Sequence, residues 1–502
     1  MDTIRIKKKS TEQIMRYEPI IGLEVHAQLL TKSKMFCSCS TRFGSEENSQ
    51  VCPICLGMPG VLPVVNRKAV EFAFRMGLAT HCQILSCSIF ARKNYFYHDL
   101  PKGYQISQYQ NPLCRDGYIE IEVEDKLKKI GILRVHLEED AGKSIHAEEW
   151  VKEDETLIDL NRCGVPLIEI VSKPDIRTPK EAYLYLTTLR QLLQYLEICD
   201  GNMEEGSLRC DANVSVRPFG SRKFGVKTEL KNINSFHGVE KALIYEINRQ
   251  IQITENRGTI RSETLCWDDS KNATIPMRIK EGSPDYRYFP EPNLVPITID
   301  RSWLDNIKTQ ILELPLQKRN RFIFQYSIPK YNANVLTENK LIADYYEQVA
   351  TMVSNPKLAS NWVMSEILHV IKQKKENEKF PVSAAALAEL LNLISDGIIT
   401  QKIAKYVFNE MITHNQSAKT IVKEKKLVQV SNCDEITKII SKVIDENPDE
   451  VAKYIAGKKN LFGYFVGQIM KATKGKANPH LVNKLLQDKL SSFKFNMNGE
   501  KS

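Results

Sequence analysis

Four apolar runs in the first half of the chain each carry charged or imidazole residues that an ordinary strand core would not hold. Glu24 and His26 lie in Ile20-Ile21-Gly22-Leu23-Glu24-Val25-His26. Glu138, Glu139 and Asp140 follow Ile132-Leu133-Arg134-Val135-His136-Leu137. Glu169 sits within Pro166-Leu167-Ile168-Glu169-Ile170-Val171, and Arg209, Asp211 and Asn213 alternate with Leu208, Cys210, Ala212 and Val214. A carboxylate is costly to bury unless it is paired or holds a metal. Taken singly, each acid also reads as a structural ion pair with Arg162 or Arg209; four such runs in one half of the chain favour a shared site. Glu24 and His26 are two residues apart, so on a strand they share a face. With Glu139 and Glu169 from other strands they offer hard oxygens and one imidazole, a donor set for magnesium or manganese. Magnesium joins protein carboxylates to substrate phosphates, which points to nucleotide chemistry.

A second set of ligand-type residues is separate. Cys37-Ser38-Cys39 and Cys52-Pro53-Ile54-Cys55 are two short-spaced pairs. Four thiolates fill a tetrahedral zinc shell and leave no position for water, so the expected role is structural. A redox role is disfavoured because no βαβ pattern surrounds the Cys-x-x-Cys. The other eight cysteines are scattered and read as small buried hydrophobes.

Neither a Walker A sequence nor a dinucleotide-type glycine fingerprint is present. Ala141-Gly142-Lys143-Ser144 resembles the end of a Walker A but lacks its first glycine, leaving a turn whose Lys143 could approach phosphate. Arg92-Lys93-Asn94-Tyr95-Phe96-Tyr97-His98 could stack on a base or gate a cavity, and reads equally as an aromatic strand with an exposed lysine.

The elements that must position these residues are strand-rich to about residue 300. Tyr118–Val123 alternates polar and apolar, as a half-buried strand does. Arg115-Asp116-Gly117 reads as the turn before it, and Lys129-Ile130-Gly131-Ile132 opens the next strand. Asn66 caps one expected helix, Thr178-Pro179 starts another, and Val239–Gln252 forms a third. Gly282–Pro292 reads as a rigid, irregular loop. Beyond 300 the spacing is helical, with a break at Asp396-Gly397. The expected division is an N-terminal extension (1–16), an α+β antiparallel-sheet domain (17–300), an all-α helical domain (301–400) and an all-α, Lys-rich tail (401–502), with the Lys-rich run 372–379 as a solvated connector.

With 502 residues, 42% of them hydrophobic and 26% charged, the composition is that of a soluble multidomain protein. No apolar run approaches the roughly 20 residues that cross a bilayer. The basic stretch Met1 to Ser10 lacks the apolar core of a secretory signal, so the expected location is cytoplasmic. From residue 401 onward there are 18 Lys, no Arg and 10 Asp plus Glu, so this fifth carries eight of the net nine positive charges. Such a surface suits a nucleic-acid backbone; a merely solvated lysine surface is the plain alternative.

Together the segments resemble the B subunit of the aspartyl/glutamyl-tRNA(Asn/Gln) amidotransferase family. The matching stretches are Gly22-Leu23-Glu24-Val25-His26, Pro59-Gly60-Val61-Leu62-Pro63, Arg92-Lys93-Asn94-Tyr95-Phe96-Tyr97, Gln105-Ile106-Ser107-Gln108 and Glu138-Glu139-Asp140-Ala141-Gly142-Lys143-Ser144. Met203-Glu204-Glu205-Gly206-Ser207-Leu208-Arg209-Cys210-Asp211-Ala212-Asn213, Asp285-Tyr286-Arg287-Tyr288-Phe289-Pro290-Glu291-Pro292 and Val466-Gly467-Gln468-Ile469-Met470-Lys471 extend the match to the tail. The first ten or so residues look like an addition.

The resemblance implies a cradle-shaped catalytic domain followed by helical and tail domains. It implies a ligase that uses ATP to phosphorylate the side-chain carboxylate of Glu-tRNA(Gln) or Asp-tRNA(Asn). Ammonia from a separate amidase (glutaminase) subunit then displaces the phosphate, and a small third subunit braces the heterotrimer. The implied magnesium ligands fall on His26, Glu139 and Glu169, with Glu24 and Asp211 close by. Lys93 and Tyr95 fall near the mouth of the ammonia route, Lys143 and Arg209 near the nucleotide, and the four cysteines on zinc. The tail would hold the tRNA body through shape and phosphate contacts. Two other readings are a tRNA-binding scaffold without catalysis and a metal-dependent phosphohydrolase. The presence of every acid of the site weighs against the scaffold.

Overall fold

The computed structural model describes residues 16–145, 155–279, 285–374, 380–428, 433–473, 477 and 479–499. The expected extension before Arg16, residues 282–284 of the irregular loop and residues 375–379 of the connector lie outside them. The chain divides into two compact units, the first ending at Pro315 and the second beginning at Leu316.

The first unit is built on a nine-stranded sheet. In chain order its strands are β1 (Tyr17–Gln28), β2 (Gln83–Ile84), β5 (Cys114–Val123), β6 (Lys126–Glu139), β7 (Pro166–Ser172), β8 (Leu208–Pro218), β9 (Thr228–Lys231), β10 (Glu263–Asp268) and β11 (Ala273–Ile279). Two short strands outside this sheet, β3 (Ala91–Asn94) and β4 (Tyr104–Ser107), pair with each other. The spatial order is β11-β10-β9-β8-β1-β7-β6-β5-β2. Every pairing is antiparallel except β9 with β10. The fold is therefore α+β, with an antiparallel-dominated sheet followed by a helical region.

One face of the sheet is apolar. Leu23, Val25 and Ala27 of β1, Val135 and Leu137 of β6, Ile168 and Ile170 of β7, and Ala212 and Val214 of β8 are buried there. They form one core with α1 (Arg67–Ala79), α2 (Pro179–Tyr195) and α3 (Phe236–Glu255). The helices start where local chemistry dictates. The Asn66 side chain accepts from the Lys68 and Ala69 amides, Thr178 from Glu181, and Ser235 from Gly238, which satisfies amides that lack a helical partner. A further helix, α4 (Arg301–Gln310), belongs to this unit too; its Trp303 meets Phe74 of α1 edge-on at 5.2 Å.

The expected turn at Arg115-Asp116-Gly117 lies inside β5. The turn between β5 and β6 is Glu124-Asp125, both with positive φ. Gly117 serves a close approach: a Cβ there would lie 2.4 Å from the Thr80 carbonyl oxygen, while the Tyr118 amide donates to that same oxygen.

The second unit is helical. One apolar cluster runs from Phe322 to Val422 and a separate one from Ile436 to Leu490. Asp396-Gly397 is the turn between helices Ala384–Ser395 and Gln401–His414, both of which pack into the first cluster. Among the described residues no helix is long and apolar enough to cross a membrane.

Candidate functional site

Strand register creates the site. On β1, His26 lies opposite Glu169 of β7 on one side and Arg209 of β8 on the other. Glu169 in turn lies opposite His136 of β6. One row thus crosses four strands: Arg209, His26, Glu169, His136. The two-residue period adds Glu24, Asp211 and Glu138 to the same face. The opposite face is the apolar core, so a one-residue slip would bury every charge in it.

The row converges on a point. His26 Nε2 is 3.4 Å from Glu138 Oε1 and 3.4 Å from Glu169 Oε2. One ligand atom from each of the three lies within 4.8 Å of the others. Two carboxylates and one imidazole so placed fit a hard divalent cation. Burial opposes the charge on His26, but the hydrogen bond to Glu169 and the charges of Glu169 and Glu138 outweigh it and raise its pKa to about 9. Burial would likewise raise the Glu169 carboxyl, yet His136 and His26 hold it well below the usual carboxylate range.

A second acidic group lies two residues further along β1. Glu24, Asp211 and Glu229 also bring oxygens within 4.8 Å of one another. Burial, then the charges of Glu169, Asp211 and Glu229, push the Glu24 carboxyl up. Asn213 Nδ2 donates to Glu24 at 2.9 Å, and Lys231 pairs with Asp211.

The structure does not bring Glu139 to His26 and Glu169; the adjacent Glu138 takes that place. Arg134, His136 and Glu138 share one face of β6, and Glu139 points through to the other. There it pairs with Lys102, and its Oε1 accepts from the Ile106 amide at 2.9 Å. Glu139 and Lys102 both line a cavity of about 200 Å³ that also touches Cys37 and Cys55.

Arg209 donates to Asp140 at 2.9 Å, and Gln28 donates to the other oxygen of the same carboxylate at 2.9 Å. Arg162 approaches Asp140 at 3.6 Å. Arg209, Arg162, Lys143 and Asp211 line one cavity of about 640 Å³. Lys143 is exposed at its rim, on a three-residue strand. Lys93 of β3 lies 5.0 Å from the Tyr286 ring centre and 5.7 Å from that of Tyr95. Burial, followed by the charges of Glu138 and nearby acids, pushes the Tyr95 hydroxyl above its ordinary pKa. Arg92, beside Lys93, clamps Glu291 with two hydrogen bonds of 2.6 and 2.9 Å. This ties the tyrosine- and proline-rich segment around residue 290 to β3, with Phe289 opposite Arg92.

Cys37, Cys39, Cys52 and Cys55 meet with their sulfurs within 4.8 Å of one another. The Cys52 amide donates to the Cys55 sulfur at 3.2 Å, and the buried Lys34 ammonium lies 3.7 Å from it. A hydrogen bond from Cys37, opposed by burial, then helped by the Cys52 amide and Lys34, brings Cys55 down to about 4. The same bond pushes Cys37 up, as the proton donor of the pair. Four sulfurs at this spacing, one already favoured as thiolate, can hold a metal ion, and a tetrathiolate set fits zinc.

Residues 19–305 match the GatB/GatE catalytic domain family, and residues 344–490 match the GatB domain family. A protein of Thermoanaerobacter pseudethanolicus, named as the B subunit of aspartyl/glutamyl-tRNA(Asn/Gln) amidotransferase, is 55% identical over 478 residues, which span 95% of this chain and all of that one. The chain belongs to this amidotransferase B-subunit family. Members of the same name from Thermodesulfovibrio yellowstonii and Carboxydothermus hydrogenoformans are 54% and 52% identical, over 94% and 95% of this chain and 99% of each relative.

In this member of the B-subunit family, reading the sequence alone missed His136, Lys102, Tyr288 and Glu229 as neighbours of the site. For Glu138 and His136 a signal was present. In Leu133-Arg134-Val135-His136-Leu137-Glu138 the even positions are polar and the odd ones apolar, which assigns Glu138 to the face of His136. Lys102 and Tyr288 come from loops whose placement no periodicity encodes.

Proposed function

We propose that this chain is the subunit that activates and amidates the side-chain carboxylate of Glu-tRNA(Gln), Asp-tRNA(Asn) or both. The observation that carries this reading is the convergence of His26, Glu138 and Glu169 on one point of a polar sheet face, with guanidinium groups beside it, in a chain of the B-subunit family. His26, Glu138 and Glu169 would hold magnesium, which when bound neutralises phosphate charge during phosphoryl transfer. Lys143, Arg162 and Arg209 supply positive charge along the cavity wall, suited to ATP phosphates. The substrate carboxylate oxygen attacks the γ-phosphorus, the bond from that phosphorus to the bridging oxygen breaks, and ADP leaves. Ammonia then adds to the activated carbonyl carbon, phosphate departs with the former carboxylate oxygen, and nitrogen loses a proton to give the amide. Lys93 and Tyr95 would lie near the mouth of the ammonia route from the glutaminase (amidase) partner, with a small third subunit completing the assembly. Four cysteines would hold structural zinc, and the Lys-rich segment 401–502 would contact the tRNA body. This reading sets the reaction in the cytoplasm.

The test is reconstitution with the glutaminase and small subunits, mischarged tRNA, ATP and glutamine. Expected are ADP and Gln-tRNA(Gln) or Asn-tRNA(Asn) in equal amounts, lost together in Glu138→Gln/Glu169→Gln. Amidation that survives this double substitution would refute the reading. ATP turnover without amide would favour a phosphohydrolase.

A further inference from the structure

His136 is 2% exposed and lies beside the cation site without belonging to its converging set. Its Nε2 is 3.2 Å from Glu169 Oε2, a hydrogen-bonding distance, and 3.9 Å from Glu138 Oε2, which is too long for one. Glu138 is held instead by the Ser107 hydroxyl at 3.3 Å. His136 Nδ1 is buried and meets no hydrogen-bond partner among the described residues. Nδ1 meets no partner in either tautomer, whereas a hydrogen on Nε2 has an acceptor within reach. A hydrogen on Nδ1 would be a buried donor without an acceptor, and Nε2 would then turn a lone pair toward the carboxylate. With the hydrogen on Nε2, the ring donates to Glu169 Oε2 and occupies one side of that oxygen. The same oxygen lies 3.4 Å from His26 Nε2.

We propose that His136 is a positioning residue for the cation site: its Nε2–H fixes the Glu169 carboxylate in the orientation that ligates, and the ring itself is not a ligand. This rests on the reading that His26, Glu138 and Glu169 hold a divalent cation. Outer groups that orient a ligand typically change metal affinity by about 10- to 100-fold.

The experiment measures Mn²⁺ binding to the purified full-length chain by electron paramagnetic resonance of the free ion, with Glu169→Gln as the background. His136→Leu should weaken binding by about 10- to 100-fold. His136→Gln, whose amide nitrogen reaches the place of Nε2, should restore most of the affinity. His136→Asn, which reaches only the place of Nδ1, should behave like leucine. Zinc content and thermal melting report folding; should leucine fold poorly, the Gln–Asn pair carries the test. Binding at the wild-type level in His136→Asn and His136→Leu would overturn the proposal. So would His136→Gln being as weak as His136→Leu, the mark of a direct ligand. A wild-type chain that binds no Mn²⁺ above the Glu169→Gln background would overturn the cation reading, and the proposal with it.

Discussion

Glu138 and Glu139 are neighbours in sequence and should fail in opposite ways. The Glu139 and Lys102 side chains are 2% and 5% exposed. Removing one partner of a buried ion pair costs about 3–5 kcal/mol, because the other charge stays buried and uncompensated. Glu139→Gln keeps an oxygen for the Ile106 amide, so its cost belongs at the lower end, about 3 kcal/mol. For a domain of this size that corresponds to a fall in melting temperature on the order of 5–10 °C. Its Mn²⁺ affinity should stay near wild type, since its carboxylate points away from His26. Glu138→Gln removes charge from the converging set while keeping a similar shape. It should melt closer to wild type than Glu139→Gln, because His26 keeps Glu169 as a counter-charge at 3.4 Å, and lose Mn²⁺ affinity by more than about tenfold, the scale on which even outer groups act. Thermal melting and Mn²⁺ binding on the same preparations read both quantities. If Glu139→Gln abolished Mn²⁺ binding without a change in melting, or Glu138→Gln bound Mn²⁺ normally, the assignment of faces would be wrong.

Two further outcomes are expected. Cys52→Ser should lower bound zinc and melting temperature more than the amidation rate, measured by metal analysis and single-turnover kinetics; a purely kinetic defect would count against a structural role. Neutralising the exposed Lys458, Lys459 and Lys471 to Gln should weaken tRNA binding and flatten its salt dependence by close to one unit of slope per lysine; an unchanged slope in filter binding would show a solvated surface.

Much of the site is legible in the sequence because buried charge is rare. Glu24, His26, Glu169, Arg209 and Asp211 stand out within apolar runs, and the sheet register brings them to one face. Helix starts at Asn66 and Thr178-Pro179 are legible because capping is local chemistry. The sulfur cluster is legible from spacing alone. What escapes the sequence is either parity or long-range placement. Two adjacent glutamates look alike until the alternation upstream is counted, which sends Glu138 to His26 and Glu139 to Lys102. Arg115-Asp116-Gly117 has turn composition, yet its glycine serves a close pass by Thr80. Tyr288 comes under the influence of Glu138 and Glu169 because Arg92 and Glu291 fasten its segment to β3, a contact between residues almost 200 positions apart.

The register of β6 makes this part of the chain more sensitive to a change of length than to a change at one of its exposed positions. A substitution at exposed Lys126 or Leu127 alters local contacts only. Deleting one residue within Lys126–Leu137 while keeping the strand's upstream pairing would send Glu139 to the place of Glu138, and each polar side chain beyond the deletion would swap faces with an apolar neighbour. Glu138, now 3.4 Å from His26, would be driven under the helices, and Lys102 would lose its counter-charge in the same event. Drift among relatives should therefore leave the residue count of this strand fixed.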